Sequence, residues 1–283
     1  MTNICPNGII EPYPNLSNSL SYLFFIPYHS FRGRKLSFSE TGVILDEGNI
    51  AILPNDRLSW NALLFAVTAS EAEALARSGS KPTAKMQREM LFITTWLKSL
   101  GATSVTYASE LYIRHAGNVT GVVEPLTGAQ MLLGGVPANE ALATFSYHFD
   151  VRGCIQGIGD KANNLGWFKS LSFKQPIFNV GIRHALIKNV PNLAVVSPCS
   201  GFEGLACSVG RIVEFNAAVG QGVGIAAVNA ILNNKNLADV SNREVRQVLV
   251  ETGQLPRIFG VPNNGDAMLL AQFENLVTSD AIA

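Results

Sequence analysis

One segment in the last third of the chain limits the possible folds more than any other. Residues Asn192 to Ser197 form a continuous apolar run, which is typical of a strand covered on both faces. A loop rich in Gly, Ser and Cys follows, and then small and apolar residues continue from about Gly210 to Leu232. A covered strand that leads through such a loop into a long helix predicts a layer of sheet and helix here.

A glycine cluster within that helix allows two interpretations. Residues Gly222 to Ala227 match the Gly-x-Gly-x-x-Gly/Ala pattern of dinucleotide-binding loops. Too few residues follow Gly224 for the rest of a Rossmann domain, and Arg211 to Leu232 has the composition of one uninterrupted helix, so the helix is favoured. Gly220 and Gly224 then share one face and should allow a close neighbour there, with Gly222 off that face.

The remaining pattern predicts an α+β fold with a mixed, largely antiparallel sheet and packed helices. Short strands are predicted at 42–45, 50–53, 62–67, 103–114, 144–155 and 176–180. Thr68 and Glu71, like Ser241 and Glu244, have the spacing of a capping box and predict two helix starts. A longer helix is expected after Pro82, whereas the residues after Gly260 give no clear pattern.

Composition excludes several classes of protein. Hydrophobic residues make up 47% of the chain and charged residues 15%, which argues against disorder and against an exposed coiled coil. The 21 basic and 21 acidic residues give a formal net charge of zero, so neither nucleic acid nor an anionic membrane is an expected partner. A surface with few charges is often covered by a subunit, a partner chain or a cofactor.

The cysteines and histidines indicate no metal site. The four cysteines lack a Cys-x-x-Cys pair, and the four histidines show no ligand spacing. The apolar stretch from Tyr22 to Pro27 is too short for a signal sequence or a membrane span and lacks a basic flank. We therefore expect a cytoplasmic protein without a membrane span.

The candidate catalytic residues lie near the end of one predicted strand. The common hydrolase and nucleotidase motifs do not occur in the sequence. His148 and Asp150 would lie on one face of their strand with Arg152 nearby, an arrangement that suits general acid/base chemistry. An ion pair across the strands between these residues and Arg152 is the structural alternative.

From about Asn61 to Gly260 the chain resembles the C-terminal part of the FAD-dependent oxidoreductases with a glutathione-reductase-type flavin fold. The densest similarity lies at 176–228, in Pro176-Ile177-Phe178, Asn192 to Val196, and Arg211 followed by Gly220-Gln221-x-x-Gly224-x-Ala226-Ala227. These segments resemble the family's strand, its returning strand and its final flavin-binding helix. Weaker similarity lies at Glu110 to Gly121, Tyr147 to Arg152 and Ser241 to Gly253.

The resemblance implies FAD as the cofactor and an oxidoreductase activity on a small molecule. It places the loop from Ser200 to Gly210 against the isoalloxazine ring and the N-terminus of the Arg211 helix at the N1/C2 edge of that ring. There the helix dipole and Arg211 would stabilise negative charge on a reduced flavin. The cofactor-binding residues implied in this way are Ser197, Ser200, Gly201, Gly210, Arg211, Gly220, Gln221 and Gly224.

The sequence also departs from the family pattern. It has no N-terminal strand leading into Gly-x-Gly-x-x-Gly, the segment that binds the FAD pyrophosphate, and Ser197 replaces the glycine that ends the returning strand. We therefore expect a truncated chain or a C-terminal component that binds FAD weakly and needs an N-terminal half or partner chain. The face near Val195, Val196 and Ala226 is then expected to be uncovered.

Three functions stay open at this point. The first is a component of a flavoenzyme, the second is a non-enzymatic binding or scaffold protein that has lost its flavin site, and the third is a flavin-free enzyme acting through His148, Asp150 and Arg152. The expected organisation is an irregular arm at 1–40, a substrate-type α+β domain at 41–187, the C-terminal part of an FAD-binding domain at 188–260, and a tail at 261–283.

Overall fold

The structure is a computed structural model that describes residues 2–4, 10–12, 28, 30, 31, 33, 42–113, 117–150 and 173–279. Within it the chain forms two compact units, Met1–Ile113 and Arg114–Ala283. This division falls inside the predicted 41–187 domain, and the predicted domain bounds stay predictions. Arg152 lies outside the described residues.

The strands of the first unit form two antiparallel pairs. A short pair joins β1, Thr2–Ile4, to β2, Ile10–Pro12, and a long hairpin joins β3, Val43–Leu53, to β4, Arg57–Phe65. The hairpin turn contains Asn55 and Asp56 at positive φ, 62° and 54°, which these two residue types tolerate better than most. The two strands predicted at 42–45 and 50–53 are one strand, because pairing with β4 resumes after an irregularity between Leu45 and Asn49.

Two helices of the first unit are described over their whole length, α1, Ala69–Arg77, and α2, Ala84–Ser99. The predicted capping box at α1 is confirmed: the Thr68 hydroxyl accepts the Glu71 N–H, and the Glu71 carboxylate accepts the Thr68 N–H. α2 begins after an N-cap at Thr83, so Pro82 precedes the cap rather than lying in the first turn. The buried centre of this unit contains Tyr28, Leu45 and Trp96.

The strands of the second unit are short and form two further pairs. β5, Leu126–Thr127, runs parallel to β8, Phe202–Glu203, whereas β6, Ala143–Ser146, runs antiparallel to β7, Ile177–Val180. Most strand pairs in the described residues are thus antiparallel, and helices pack beside them. The α+β fold class predicted from the sequence is confirmed.

Five α-helices of the second unit lie in the described residues. They are α3, Gly128–Leu132; α4, Ala206–Gly210; α5, Val213–Leu232; α6, Asn242–Glu251; and α7, Asn264–Ser279. The capping box predicted at Ser241 and Glu244 is confirmed at the start of α6. α7 lies after Gly260, where the residue pattern predicted no element.

Two predicted strands are wrong where the structure describes them. Residues 103–113 form no strand. The run from Asn192 to Ser197 contributes only an isolated bridge between Ala194 and Leu186, and its Leu193 side chain is 47% exposed. This run lies beside residues 185–187. The Val195 N–H donates to the Ala185 carbonyl and the Ile187 N–H donates to the Leu193 carbonyl, but in the described part of the chain these backbone hydrogen bonds do not extend into a sheet.

The prediction of a helix across the glycine cluster is confirmed, but its orientation was predicted wrongly. Gly222 faces the core, where an added Cβ would lie 2.7 Å from Ile182 Cγ2 and 2.8 Å from Leu142 Cδ1. A Cβ on Gly224 would meet nothing within 4 Å, and one on Gly220 would meet only Val196 Cγ1, at 3.8 Å. The helix excludes a dinucleotide-binding loop at Gly222 to Ala227.

The buried face of α5 organises the core of the second unit. Phe215, Val219, Gly222, Ala226 and Ala230 are its buried residues, three and four positions apart as on one side of a helix. Phe215 packs against Phe145, Phe178 and Phe202 with ring centroids 5.7 to 6.0 Å apart. By length and composition α5 alone among the described helices could cross a membrane, yet this face lies in the protein core.

Candidate functional site

The structure brings together two groups of residues that the sequence analysis predicted separately. Residues 147–150 follow β6 and contain the catalytic candidates, whereas Arg211 lies between α4 and α5 and is the candidate for contact with the flavin ring. Asp150 Oδ2 and Arg211 Nη2 form an ion pair between side chains that are only 14% and 11% exposed. We define the candidate site as Tyr147, His148, Asp150 and Arg211.

Aromatic rings form one wall of the candidate site. The Arg211 guanidinium carbon lies 5.9 Å from the centre of the Tyr147 ring, within the range of a cation–π contact. The His148 ring stacks on Tyr147 with centroids 4.5 Å apart and planes 28° apart. The His148 side chain is exposed, so it can exchange protons with solvent.

Asp150 lies beyond the end of β6, so the prediction that His148 and Asp150 share one face of a strand is wrong. The Asp150 carboxylate forms an ion pair with Arg211, next to the start of α5. The alternative pairing with Arg152 lies outside the described residues and stays a prediction. The N-terminus of α5 adds the partial positive charge of a helix dipole next to this ion pair.

The N-terminus of α5 has the features expected of a site for a negatively polarised ligand edge. Its N-cap, Ile212, makes no side-chain cap hydrogen bond, and the side chains of Val213 and Glu214 are exposed. Arg211 Nε is buried without a hydrogen-bond partner in the described part of the chain. The first N–H groups of this twenty-residue helix have no partner within the helix. Together with the Arg211 Nε they are hydrogen-bond donors that fit the acceptors along the N1/C2 edge of an isoalloxazine.

The loop predicted to face the flavin ring is turned largely inward. The Ser200 side chain is fully buried; its hydroxyl donates to the Val195 carbonyl at 2.7 Å and accepts the Ser197 N–H at 3.1 Å. An added Cβ on Gly201 would lie 2.5 Å from Val122 Cγ2, and one on Gly210 would collide with the Phe202 ring. These glycines are explained by close packing within the chain, and their role toward a cofactor stays a prediction.

The remaining cofactor-binding candidates lie on the outer side of α5. Gln221 and Gly224 are exposed, and Gly220 is half-buried near Val196. This outer side of α5 leaves room for a ligand, but it lies on the opposite side of the helix from the residues buried in the core. Their role toward a cofactor also stays a prediction.

His184 is a buried polar residue that the sequence analysis did not single out. Its ring lies 5.2 Å from the ring centre of Phe202 and 5.4 Å from that of Phe215, and Nε2 has no hydrogen-bond partner in the described residues. Burial lowers its pKa from 6.5 to about 4, so the imidazole is neutral. A lone histidine gives no sequence signal for such burial.

A cavity of about 220 Å³ borders His184 on the side of Gly181 and Asn242. This volume is small compared with the roughly 300–1,000 Å³ of ordinary ligand pockets, so it cannot hold a dinucleotide. Within the described residues no group of three His, Cys, Asp or Glu side chains could hold a metal ion.

Comparison with known proteins assigns the chain to a family. The model of the family "FAD dependent oxidoreductase" matches residues 35–249, well over half of the chain. The chain therefore belongs to the FAD dependent oxidoreductase family, which implies FAD as its cofactor and an oxidoreductase as its general class. No curated protein and no solved structure gives a significant match.

Proposed function

We propose that this chain oxidises or reduces a small molecule with FAD at the candidate site, within a flavin fold of the glutathione-reductase type. The ion pair between Asp150 and Arg211 is the observation that carries this proposal. It joins the segment that resembles a substrate-domain strand to the helix that resembles the family's flavin-binding helix. A site between these two elements is where substrate and flavin ring would meet.

FAD, when bound, supplies the ring that accepts or donates the electron pair. The chain's own contribution begins with Arg211, whose guanidinium is held by its ion pair with Asp150. The first-turn N–H groups of α5 would hold the negatively polarised edge of the ring. The stacked rings of Tyr147 and His148 offer a flat surface for a small substrate.

His148 is the residue of the site best suited to move a proton. Its side chain is exposed and stacks on the Tyr147 ring, whereas the Asp150 carboxylate forms an ion pair with Arg211. A ring nitrogen of His148 would take up or release the proton that accompanies a change in the oxidation state of the substrate. Asp150 orients the Arg211 guanidinium and is therefore a positioning residue for the reaction.

A flavin titration tests this function. Protein purified from its native host is expected to absorb at about 370 and 450 nm, the bands of bound flavin. For the purified chain, quenching of FAD fluorescence should give a dissociation constant on the order of tens of micromolar, because the sequence lacks the pyrophosphate-binding loop. Arg211→Gln should weaken this binding about tenfold through loss of a charge-assisted contact.

Arg243→Gln is the matched control for this experiment. Arg243 also pairs with a carboxylate, Glu140, at 3.0 Å, but its side chain is 66% exposed and lies on α6. FAD affinity of this variant should equal that of the wild type. Absence of saturable FAD binding would reject the flavoenzyme and favour the scaffold, whereas equal affinity of Arg211→Gln and Arg243→Gln would place the flavin elsewhere.

A further inference from the structure

The helix α7 lies entirely beyond the segment that matches the family, which ends at residue 249. Its apolar side nevertheless packs into the second unit through Ala267, Leu270 and Phe273, all fully or almost fully buried. The residues that it contacts belong to α3 and to the start of α4, together with Phe149. Phe149 lies between His148 and Asp150 of the candidate site.

A buried carboxylate on α7 joins two of these elements directly. Glu274 is 6% exposed. Its Oε1 accepts the N–H groups of Gly128 at 2.9 Å and Leu205 at 2.8 Å, and its Oε2 accepts the Ala129 N–H at 3.1 Å. One side chain therefore ties the first residues of α3 to the residue that precedes α4.

Two glycines leave the space that this carboxylate occupies. An added Cβ on Gly128 would lie 2.6 Å from Glu274 Oε1, and one on Gly204 would collide with the same atom. Gly204 also has a φ of +57°, which favours glycine. The chain is therefore shaped around the carboxylate at both points of contact.

The connection continues from Glu274 to the candidate site in two short steps. Leu205 precedes α4, and α4 ends at Gly210, directly before Arg211. On the other side, the Phe149 ring lies beside Gly128, 3.2 Å from the position of an added Cβ. Asp150 thus directly follows Phe149, and Arg211 directly follows α4, the short helix that Leu205 precedes.

We propose that Glu274 is a positioning residue for the candidate site, fixing the segment 147–150 and the approach to Arg211 from a helix outside the family segment. The inference rests on the proposed function for its catalytic meaning. Its carboxylate satisfies three buried N–H groups at the starts of α3 and α4, and an apolar side chain of the same size would leave them without acceptors. Burial in fact raises the pKa of Glu274, against the effect of its three backbone hydrogen bonds.

The first test is spectroscopic and needs no cofactor. Glu274→Gln keeps the size of the side chain but replaces one acceptor oxygen by a donor group. We expect the Arg211 Nε–H resonance in ¹⁵N NMR spectra to shift or broaden, and hydrogen exchange in peptides covering 126–132 and 203–211 to accelerate about tenfold or more. Exchange in β6, β7 and α6 should stay at wild-type rates.

Asp266→Asn is the matched control on the same helix. Asp266 accepts the Lys174 N–H at 3.2 Å and the Asn263 side-chain N–H at 2.8 Å, and no hydrogen bond of its carboxylate goes to α3 or α4. This variant should leave the Arg211 resonance unchanged, because the contacts of Glu274 stay in place. Glu274→Asp, which keeps the charge on a shorter side chain, should give an intermediate effect and provides a second variant should Glu274→Gln not fold.

FAD titration of the same variants tests the functional meaning of the contact. Glu274→Gln should weaken FAD binding about tenfold, with partial recovery in Glu274→Asp and none of the loss in Asp266→Asn. A wild-type Arg211 resonance and wild-type exchange in Glu274→Gln would overturn the positioning role. Absence of FAD binding by the wild-type chain, with the NMR changes present, would instead reject the proposed function and leave the positioning of Arg211 established.

Discussion

At the scale of single residues, His184 shows how an ordinary side chain acquires an unusual environment. Its ring packs against the rings of Phe202 and Phe215, and 4% of its surface is exposed. The charged imidazolium would lose its hydration there without gaining a partner for Nε2, so burial lowers the pKa to about 4. Stability must therefore depend on pH through this residue.

The direction of that dependence follows from the two protonation states. The unfolded chain binds a proton at His184 near pH 6.5, but the folded protein does not until about pH 4. The stability contributed by this group is therefore present above pH 6.5 and is lost as the pH falls through that interval, by about 3 kcal/mol in all. Urea unfolding at a series of pH values measures it.

His184→Phe should remove this loss of stability at low pH, because phenylalanine cannot take up a proton and keeps an aromatic ring against Phe202 and Phe215. The control is His148→Gln, which removes an exposed histidine instead of the buried one. If the free energy of unfolding of His184→Phe falls between pH 6.5 and 4 as steeply as that of the wild type, His184 is not the source of the pH dependence.

At the scale of elements, α5 places its three glycines in unlike surroundings. The helix turns by about 100° per residue, so Gly222 lies nearly opposite Gly220 and Gly224. Which side faces the core was predicted wrongly, because the sequence of α5 is apolar around much of its circumference. The exposed residues Val213, Val228 and Ile231 are as hydrophobic as the buried ones.

Alanine substitutions at these glycines should have opposite effects. Gly222→Ala brings a Cβ to within 3 Å of Ile182 and Leu142 and should destabilise the protein by roughly 1–2 kcal/mol, after a gain in helix propensity. Gly224→Ala has open space and should stabilise it by up to about 1 kcal/mol. Thermal unfolding compares the two, and a Gly222→Ala protein at least as stable as Gly224→Ala would refute the orientation of α5.

At the scale of the whole molecule, few charges and many apolar residues leave hydrophobic surface on α5. Ile231 and Leu232 are 79% and 78% exposed at its end. The prediction of an uncovered face near Val195, Val196 and Ala226 is wrong for Ala226, which is fully buried. Exposed apolar patches of this kind promote association of the chain with itself.

Ile231→Lys should therefore reduce self-association without a loss of stability. A lysine is a good helix former and this side chain has few contacts to lose, so the free energy of unfolding should change by less than about 0.5 kcal/mol. Sedimentation velocity at increasing concentration measures the association. Val250→Lys, at a 51% exposed position on α6, adds the same charge elsewhere, and an equal effect there would show that charge alone matters.

Local signals in the sequence determined local structure. The capping boxes at Thr68 and Ser241 fixed two helix starts, because a side-chain oxygen three residues before a glutamate satisfies N–H groups without help from the rest of the chain. The helix α5 was likewise predicted from its composition, and β6 and β7 from alternation, although the strand predicted at 144–155 ends at Ser146. The resemblance of residues 61–260 agreed with the matched family.

Only the tertiary structure decided the features that depend on distant partners. Among the described residues the apolar run at 192–197 has only one bridge, between Ala194 and Leu186, so it is not a strand. The Asp150–Arg211 pair and the carboxylate of Glu274 each join residues at least 61 positions apart along the chain. No local pattern encodes such contacts, because burial and pairing arise only once the helices have packed and excluded water from the groups between them.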